Sequence, residues 1–236
     1  MAVSLRDQVV VVVGASSGMG RETAIQFAAE GAKVMASARR EERLRELEPH
    51  GISVHVADAT DPAAMEGLAK AALKEHGRID ILVYATGTNI PDRALSRLTT
   101  ELWDMMVGVN LNGAYYATRA VLPSMREQKS GSIYYISSKS AIIPDESGAS
   151  YQAAKRGLAG LAQAIRVEEK DNGIRTCVVC PGLTDTEIIL KRPVKTPAET
   201  MAKALQAGDV AELVVALAKL PARAWVPEVQ LFPAGL

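Results

Sequence analysis

The stretch VVVGASSGMGRETA, residues 11–24, places three glycines after a run of valines and at the start of an amphipathic segment. The three glycines and the two serines among them are Gly14, Ser16, Ser17, Gly18 and Gly20. The spacing G-x-x-x-G-x-G differs from the commoner G-x-G-x-x-G, but the physics is the same: glycines permit a tight turn, and the next helix presents free N–H groups to a pyrophosphate. The serines add hydroxyl donors and candidate helix caps. The stretch predicts a nucleotide-binding strand–turn–helix, and the alternative is a glycine-rich turn without a ligand.

Short β-branched runs alternate with helical stretches along the whole chain. Several runs, such as VVVVV at 9–13, are apolar at both alternating positions, which suits strands buried on both faces of a parallel sheet. Strict alternation implies right-handed βαβ units and a doubly wound α/β sheet flanked by helices on both faces. The predicted strands are 8–13, 33–38, 52–57, 79–84, 132–136, 174–179 and 225–232. Pro227 indicates that the last is an edge or irregular strand.

The composition bounds the class of protein. Apolar residues make up 48% and charged residues 23%, and basic and acidic residues balance at 27 each, so no global charge favours nucleic acid or an anionic membrane. The opening MAVSLRDQ lacks the pattern of a signal peptide, and two cysteines give no disulfide framework, so a reducing cytoplasm is expected. Without an internal repeat or Pro/Ser-rich linker, residues 1–236 are predicted to form one dinucleotide-binding catalytic domain.

The end of the second strand bears on which dinucleotide binds. An NAD site usually places an acidic residue there to hold the ribose hydroxyls, but Ala38 takes that position and Arg39 and Arg40 follow it. Guanidinium groups pair with phosphate, so these arginines predict recognition of the 2′-phosphate of NADP(H), with Arg39 the better candidate. The alternative is a solvated helix start. Asp58, which ends the third strand, could accept a hydrogen bond from adenine or cap its own loop.

In SYQAAKRG, residues 150–157, Tyr151 and Lys155 stand four positions apart, which on a helix brings them to one face. A tyrosine hydroxyl can donate a proton to a developing alkoxide, but its ordinary pKa of about 10 is high for exchange near neutral pH. A lysine ammonium one turn away favours the phenolate, so we expect Lys155 to lower the pKa of Tyr151. The alternative is two polar side chains on a solvated helix, or, for Tyr151 alone, a packed aromatic.

With these pieces together, the chain resembles the short-chain dehydrogenase/reductase family. The motifs that carry the resemblance run in the family's order from VVVGASSGMG through VADAT, VNLNG, GSIYYISSKSA, YQAAK and CPGLTDT. The resemblance implies a Rossmann-like domain with a seven-stranded parallel sheet, assembled as a homodimer or homotetramer. It implies a catalytic set of Asn110, Ser138, Tyr151 and Lys155, with Ser138 thirteen residues before Tyr151 as the family requires.

The resemblance also assigns roles within this set. Lys155 would bind the nicotinamide ribose, Ser138 would polarise the carbonyl oxygen, and Asn110 would position water in a proton relay. Each has an alternative: Asn110 could instead interrupt a long helix by bonding backbone groups, and Ser138 could be one of several loop hydroxyls. The remaining cofactor contacts expected from the resemblance are Met19, Ala59, Ala85, Thr86, Gly87, Pro181, Gly182, Thr184 and Thr186.

Two features depart from simple motif expectations. LVYATGTN, residues 82–89, lacks the asparagine that the family often has after the fourth strand, so Thr86 or backbone groups must hold this segment. Cys177 and Cys180 spell C-x-x-C, but an odd separation on a strand points them to opposite faces, so both are expected to be core thiols. No metal site is predicted.

Substrate walls are expected from 88–93, 140–147 and the loop at about 183–200. Ile142, Ile143, Pro144, Leu183, Ile188 and Ile189 predict a partly apolar pocket. Lys191, Arg192 and Lys195 could attract an anionic substrate or form a solvated loop. The expected reaction is NADP(H)-dependent interconversion of a small to medium ketone or aldehyde and its alcohol. A non-catalytic NADP-binding sensor is the alternative, and a dehydratase or epimerase would need acid or base groups not found here.

Overall fold

A computed structural model describes residues 3–236. The strands are β1 Val9–Val13, β2 Lys33–Ala38, β3 Ser53–Val56, β4 Ile81–Tyr84, β5 Gly131–Ile136, β6 Ile174–Pro181, β7 Thr184–Asp185, β8 Leu205–Gln206 and β9 Glu228–Leu231. Seven of them form one parallel sheet in the order β3–β2–β1–β4–β5–β6–β9. The helices are α1 Gly18–Ala29, α2 Glu41–Arg45, α3 Pro62–His76, α4 Thr100–Val107, α5 Gly113–Gln128, α6 Ala149–Glu169, α7 Ala198–Met201 and α8 Ala207–Ala218.

The sheet separates two hydrophobic cores, as continuous apolar strands require. Val11 and Val13 of β1 face a core shared with α3, α5 and α6. Val10 and Val12 face the opposite core, shared with α1 and α8. Every residue of β1 is buried, which explains why this strand shows no polar alternation. The predicted doubly wound α/β fold with helices on both faces is therefore confirmed.

The seven predicted strands all correspond to strands of the sheet: β2 has its predicted bounds, and the ends of the others are shifted. β4 begins two residues later than predicted and β6 continues to Pro181. β9 follows Pro227 and pairs only with β6, so the predicted edge strand is confirmed. The short parallel pair β7–β8 was not predicted, because two-residue strands carry no periodic signal.

The strand order reverses between β1 and β4. From β1 the chain moves outward to β2 and β3, and then returns to β4 on the other side of β1. Loops that leave the carboxyl ends of two such strands diverge and open a crevice, where ligands of doubly wound sheets bind. Val13 and Tyr84 are paired at these ends.

At two helix ends the local chemistry explains where the helix begins or stops. Asp61 caps α3 by accepting from the Ala63 N–H at 2.9 Å, and Pro62 takes the first helical position. Gly31 has a φ of 85° just beyond the end of α1, a left-handed conformation that glycine adopts readily after a helix. Among the helices of residues 3–236, none combines the length and the apolarity needed to cross a membrane.

Candidate active site

The glycine turn lies between β1 and α1, at the carboxyl edge of the sheet. Gly14 has a φ of 96°, and a Cβ there would lie 2.6 Å from the Thr86 nitrogen. A Cβ on Gly20 would lie 2.3 Å from the Gly14 oxygen. Close packing therefore requires glycine at both positions whether or not a ligand binds. Ser17 precedes α1 in extended conformation, but its side chain does not cap the helix, so the first-turn N–H groups remain available to an anion.

Arg40 reaches back to the two serines of the glycine turn. Its Nε donates to the Ser16 hydroxyl at 3.1 Å, and a terminal nitrogen donates to the Ser17 hydroxyl at 2.6 Å. The other terminal nitrogen pairs with Glu187 at 2.7 Å, and Arg43 pairs with the same carboxylate. These arginines hold the pKa of Glu187 below its usual range by hydrogen bonding, an effect that outweighs burial.

Arg39 points elsewhere. Its side chain is 71% exposed and lies 3.7 Å from the Asp58 carboxylate. Asp58 accepts from both the N–H and the hydroxyl of Thr60, at 2.9 and 2.8 Å, which is the loop-capping alternative for this residue. Burial raises the pKa of Asp58, but the Thr60 hydrogen bonds and Arg39 outweigh it and leave the pKa lowered. A contact from Asp58 to adenine stays a prediction, and the choice between Arg39 and Arg40 for the phosphate is untested.

Tyr151 and Lys155 lie on the first turns of α6, beside the carboxyl end of β5. They are 8% and 3% exposed, and the Lys155 Nζ lies 5.9 Å from the centroid of the Tyr151 ring. The ammonium donates to the Ile136 oxygen at 2.9 Å, while the Ser137 hydroxyl donates to the Lys155 oxygen at 2.9 Å. The end of β5 thus fixes the lysine by both its side chain and its backbone.

Burial controls the proton affinities of this pair. It raises the pKa of Tyr151 to about 12, although the neighbouring Ser138 hydroxyl opposes that shift. Burial also lowers the pKa of Lys155 to about 8. The expectation that the tyrosine pKa would be lowered is therefore wrong for this state of the site: desolvation of the phenolate exceeds the stabilisation by its neighbours.

Ser138 lies two residues beyond β5 and begins the short 3₁₀ turn Lys139–Ala141. Its oxygen accepts from the Ser140 N–H at 3.2 Å, and its hydroxyl donates to the Ser140 oxygen at the same distance. Ser140 in turn donates to the Asp145 carboxylate at 2.7 Å. The chain of hydroxyls ends at a carboxylate that lines the same cleft as Tyr151.

Asn110 lies in the wide helical turn Gly108–Asn112 between α4 and α5, and it is fully buried. Its amide nitrogen donates to the oxygens of Thr88 and Met106, at 3.0 and 2.9 Å, and its oxygen accepts from the Thr88 N–H at 3.1 Å. This is the backbone-bonding arrangement of the structural alternative. Asn110 nevertheless borders the lysine: a Cβ on Gly87 would lie 3.3 Å from the Asn110 oxygen and 3.1 Å from the Lys155 Nζ. Its proton-relay role stays a prediction.

The segment after β4 is held without the asparagine that the sequence lacks. The Ala85 N–H donates to the Val13 oxygen at 2.8 Å. The hydroxyl of Tyr84 donates to the Val109 oxygen at 2.6 Å and lies where a side chain on Gly113 would collide with it. Sequence reasoning named Thr86 or backbone groups here and missed the Tyr84 hydroxyl.

The other predicted cofactor residues surround the same crevice. Thr186 lies against the glycine turn, since a Cβ on Gly18 would be 3.1 Å from its methyl carbon. Ala59 is buried where its oxygen meets the start of α5 at Gly113. Five predicted contacts line the cleft together with Tyr151: Met19, Pro181, Gly182, Thr184 and Thr186.

The cleft is open to solvent and takes its walls from all three predicted segments. Leu183, Ile188 and Ile189 line it as predicted. Ile142, Ile143 and Pro144 do not, because the turn after Ser138 directs them away: Ile142 packs on the core and Ile143 is 46% exposed. Asn89, Arg93 and Asp145 also line it, within two of the predicted segments, whereas Ser137 and Lys139 line it outside them.

The two cysteines face opposite cores, as their spacing predicts. Cys180 packs with the core of α3, α5 and α6, and Cys177 packs with the core of α1 and α8. Burial raises the pKa of each thiol, to about 12 for Cys177 and about 11 for Cys180, so both are poor nucleophiles. Residues 3–236 contain no group of three or more His, Cys, Asp or Glu side chains arranged to hold a metal ion.

A glycine turn at the switch point of a parallel sheet, with a buried Tyr–Lys pair beside a serine, defines a dinucleotide-dependent oxidoreductase of the short-chain type. The family model for short chain dehydrogenases matches residues 8–195. An uncharacterised oxidoreductase of Staphylococcus saprophyticus is 32% identical over 98% of this chain and 99% of its own length. The chain belongs to the short-chain dehydrogenase family.

Solved structures agree with this assignment. The closed form of a serine dehydrogenase complexed with NADP⁺ superposes with a TM-score of 0.88, at 30% identity over 95% of this chain and 94% of that one. An alcohol dehydrogenase from the archaeon Thermococcus sibiricus, complexed with 5-hydroxy-NADP, superposes with a TM-score of 0.86, at 27% identity over 97% of each chain. Membership of this family identifies the protein as an oxidoreductase.

Proposed function

We propose that the protein interconverts a small to medium ketone or aldehyde and the corresponding alcohol, using NADP(H). The observation that carries the proposal is the position of Tyr151 and Lys155: both are buried on α6, beside Ser138 and next to the crevice that begins at the glycine turn. Burying a hydroxyl and an ammonium group costs folding free energy. Buried ionisable groups beside a cleft are therefore candidates for a functional role.

The residues present fit a phosphorylated dinucleotide. The uncapped start of α1 offers N–H groups to a pyrophosphate, and Arg40 stands over the serines of the same turn. The NADP⁺ and 5-hydroxy-NADP bound by the serine and alcohol dehydrogenases support this choice. When bound, the nicotinamide supplies or accepts the hydride.

Arg40 and Arg43 are proposed to hold the 2′-phosphate, at the place where both now pair with Glu187. A carboxylate that pairs with two guanidinium groups at once uses the same donors that a phosphate would use. Glu187 belongs to the turn Glu187–Lys191, in the substrate loop. NADP(H) would therefore compete with this loop for the arginines, whereas NAD(H), which lacks the phosphate, would not.

The chain's own groups account for the proton. With a pKa raised to about 12, Tyr151 is protonated at neutral pH and can donate its proton to the oxygen of a carbonyl that is being reduced. Ser138 would hydrogen-bond the same oxygen. Lys155, still largely charged below pH 8, would stabilise the phenolate that remains. In alcohol oxidation the same groups run in reverse, and the phenolate accepts the proton.

Assembly and location remain predictions: a homodimer or homotetramer, in the cytoplasm, with one catalytic domain per chain and a substrate loop at about 183–200.

The test is a panel of carbonyl compounds and alcohols with NADPH and NADP⁺, run on the wild type and on Tyr151→Phe. We expect turnover by the wild type and its loss in the variant, with NADPH binding unchanged. Equal turnover by the two proteins would remove Tyr151 as the acid. If the wild type binds NADPH but converts none of the compounds, the alternative of a non-catalytic NADP-binding sensor would be favoured.

A further inference from the structure

The cleft beside Tyr151 carries an excess of positive charge. Three cationic side chains line it, Arg93, Lys139 and Arg192, against the single carboxylate of Asp145. That carboxylate is already engaged, because it accepts from the Ser140 hydroxyl at 2.7 Å and from the Ser147 N–H at 2.9 Å. The cleft therefore holds cationic charge that its own carboxylate does not neutralise.

Arg93 is fixed at the rim by backbone contacts. Its Nε donates to the Ile90 oxygen at 3.0 Å and a terminal nitrogen donates to the Lys191 oxygen at 2.6 Å. Its Cβ also packs against Gly148, the residue before α6, where an added Cβ would come within 2.7 Å of it. Arg93 thus joins the substrate loop to the start of the helix that carries Tyr151.

Arg192 follows the Lys191 carbonyl that Arg93 holds, and both arginines line the same cleft. Arg192 donates to the Thr196 hydroxyl at 3.0 Å. Burial and the charge of Arg192 lower the pKa of Arg93, which is the expected effect of two like charges sharing a partly desolvated site. In the part of the chain that the structure describes, neither arginine forms an ion pair within 4.0 Å.

Two neighbouring cations without an ion-pair partner, in a cleft that also contains a proton donor, suit a substrate that brings its own negative charge. We infer that Arg93 and Arg192 form a carboxylate subsite, and that the substrate is a short oxo acid or the matching hydroxy acid. The reaction of this substrate rests on the proposed function, whereas the carboxylate subsite is argued from the positions of the two arginines in the cleft. A carboxylate supplies this charge with two oxygens that match the parallel N–H donors of a guanidinium group.

Binding tests the subsite without requiring turnover. Isobutyrate and isobutyramide have nearly the same shape and differ in charge, so calorimetric titration of each into the protein with saturating NADP⁺ isolates the charge. We expect isobutyrate to bind at least about tenfold more tightly, and Arg93→Gln and Arg192→Gln each to remove most of that difference. Arg97→Gln is the control: Arg97 lies on the same segment but pairs with Asp92 outside this cleft, and the preference should survive.

Equal binding of isobutyrate and isobutyramide would overturn the subsite, as would a preference that persists in both cleft variants. Tighter binding of isopropylphosphonate than of isobutyrate would overturn the carboxylate assignment. The proposed reaction is tested separately with 3-oxobutanoate and its methyl ester: discrimination in binding without reduction of either by NADPH would leave the subsite standing and count against the reductase. Preferential reduction of the acid, lost in Arg192→Gln, would support both.

Discussion

The crevice has a buried part around Tyr151 and Lys155 and an exposed part around Arg39 and Arg40, and different kinds of contact hold the side chains of the two parts. Tyr151, Lys155 and Asn110 are at most 8% exposed, and neighbouring backbone holds the lysine and the asparagine. The side chains of Arg39 and Arg40 are 71% and 44% exposed, and they pair with carboxylates. Contacts to backbone cannot be exchanged without moving a strand, loop or helix, whereas a carboxylate partner can be replaced by another anion.

This difference separates the groups proposed for chemistry from those proposed for selectivity. A proton donor must hold its geometry within a fraction of an ångström, which rigid strands and helices provide. A group that recognises a ligand's charge must be free to change partners when the ligand arrives. Substitutions in the buried part should therefore change kcat, while those in the exposed part should change which ligand is preferred.

The largest effect is expected from Tyr151→Phe, which keeps the ring and removes only the hydroxyl that carries the proton. We predict a fall in kcat of about 10³-fold or more, because general acid catalysis by one side chain typically contributes about 10²–10⁴-fold. The dissociation constant for NADPH should change less than about twofold. Steady-state kinetics and fluorescence titration measure the two quantities, and a matching loss of NADPH binding would show that the hydroxyl serves the cofactor rather than the reaction.

Arg40→Gln should reduce the preference for NADPH over NADH, measured as the ratio of kcat/KM values, by about 10- to 100-fold, the usual range for one charge-assisted phosphate contact. Arg39→Gln should have the smaller effect, because Arg39 points toward Asp58 instead of the glycine turn. A larger loss of the NADPH preference in Arg39→Gln than in Arg40→Gln would instead support Arg39 as the residue that binds the 2′-phosphate.

Gly87→Ala tests the buried part without removing a functional group. The added methyl would press on the Lys155 Nζ at 3.1 Å and on the Asn110 oxygen at 3.3 Å, so kcat should fall by about tenfold through displacement of the ammonium. Gly160→Ala in α6, where a Cβ meets nothing within 4 Å, is the matched control and should keep full activity. Equal activity in the two variants would mean that the lysine position is not critical.

The pH dependence should follow Lys155. Its pKa is lowered to about 8, so it is charged below that pH and neutral above it, while Tyr151, with a pKa of about 12, stays protonated throughout. We predict that kcat/KM for carbonyl reduction is level below pH 8 and falls by up to about tenfold per pH unit above it. Lys155→Arg should abolish this decline in whatever activity remains. A wild-type profile that stays level to pH 9.5 would contradict the role of the ammonium.

The smallest effect is expected from Glu187→Gln. Removing the carboxylate that pairs with Arg40 and Arg43 should tighten NADPH binding by about threefold and leave NADH binding unchanged, because only the phosphate competes for these arginines. Asp185→Asn, an exposed carboxylate on the same loop, is the control. Equal tightening of NADH would show that Glu187 affects the loop in general and not the phosphate site.

Most of the fold could be predicted because its signals are local. Apolar continuity located the seven strands, and the four-residue spacing of Tyr151 and Lys155 placed them on one face of a helix. The glycine turn could also be predicted from its local pattern. The close approach of Gly14 to Thr86 shows that this glycine is needed for the fold itself.

The details of the site depended on long-range contacts and burial. Arg40 and Glu187 are 147 residues apart, and Arg93 and Lys191 are 98 apart, so no local pattern joins them. Burial also reversed the expected pKa shift of Tyr151, because a spacing of residues says nothing about desolvation. Ile142 and Ile143 were misplaced for a similar reason: the turn after Ser138 sends them away from the cleft.

The central claim is that Tyr151 donates the proton while NADPH reduces a carbonyl in the cleft beside it. Single-turnover reduction of 3-oxobutanoate and a panel of neutral ketones with NADPH deuterated at the transferable C4 position tests it most directly. The account predicts deuterium on the carbinol carbon of at least one product in the wild type, and a rate about 10³-fold lower in Tyr151→Phe at equal NADPH occupancy. Bound NADPH that transfers no deuterium to any of these compounds, or transfers it equally fast in both proteins, would contradict it.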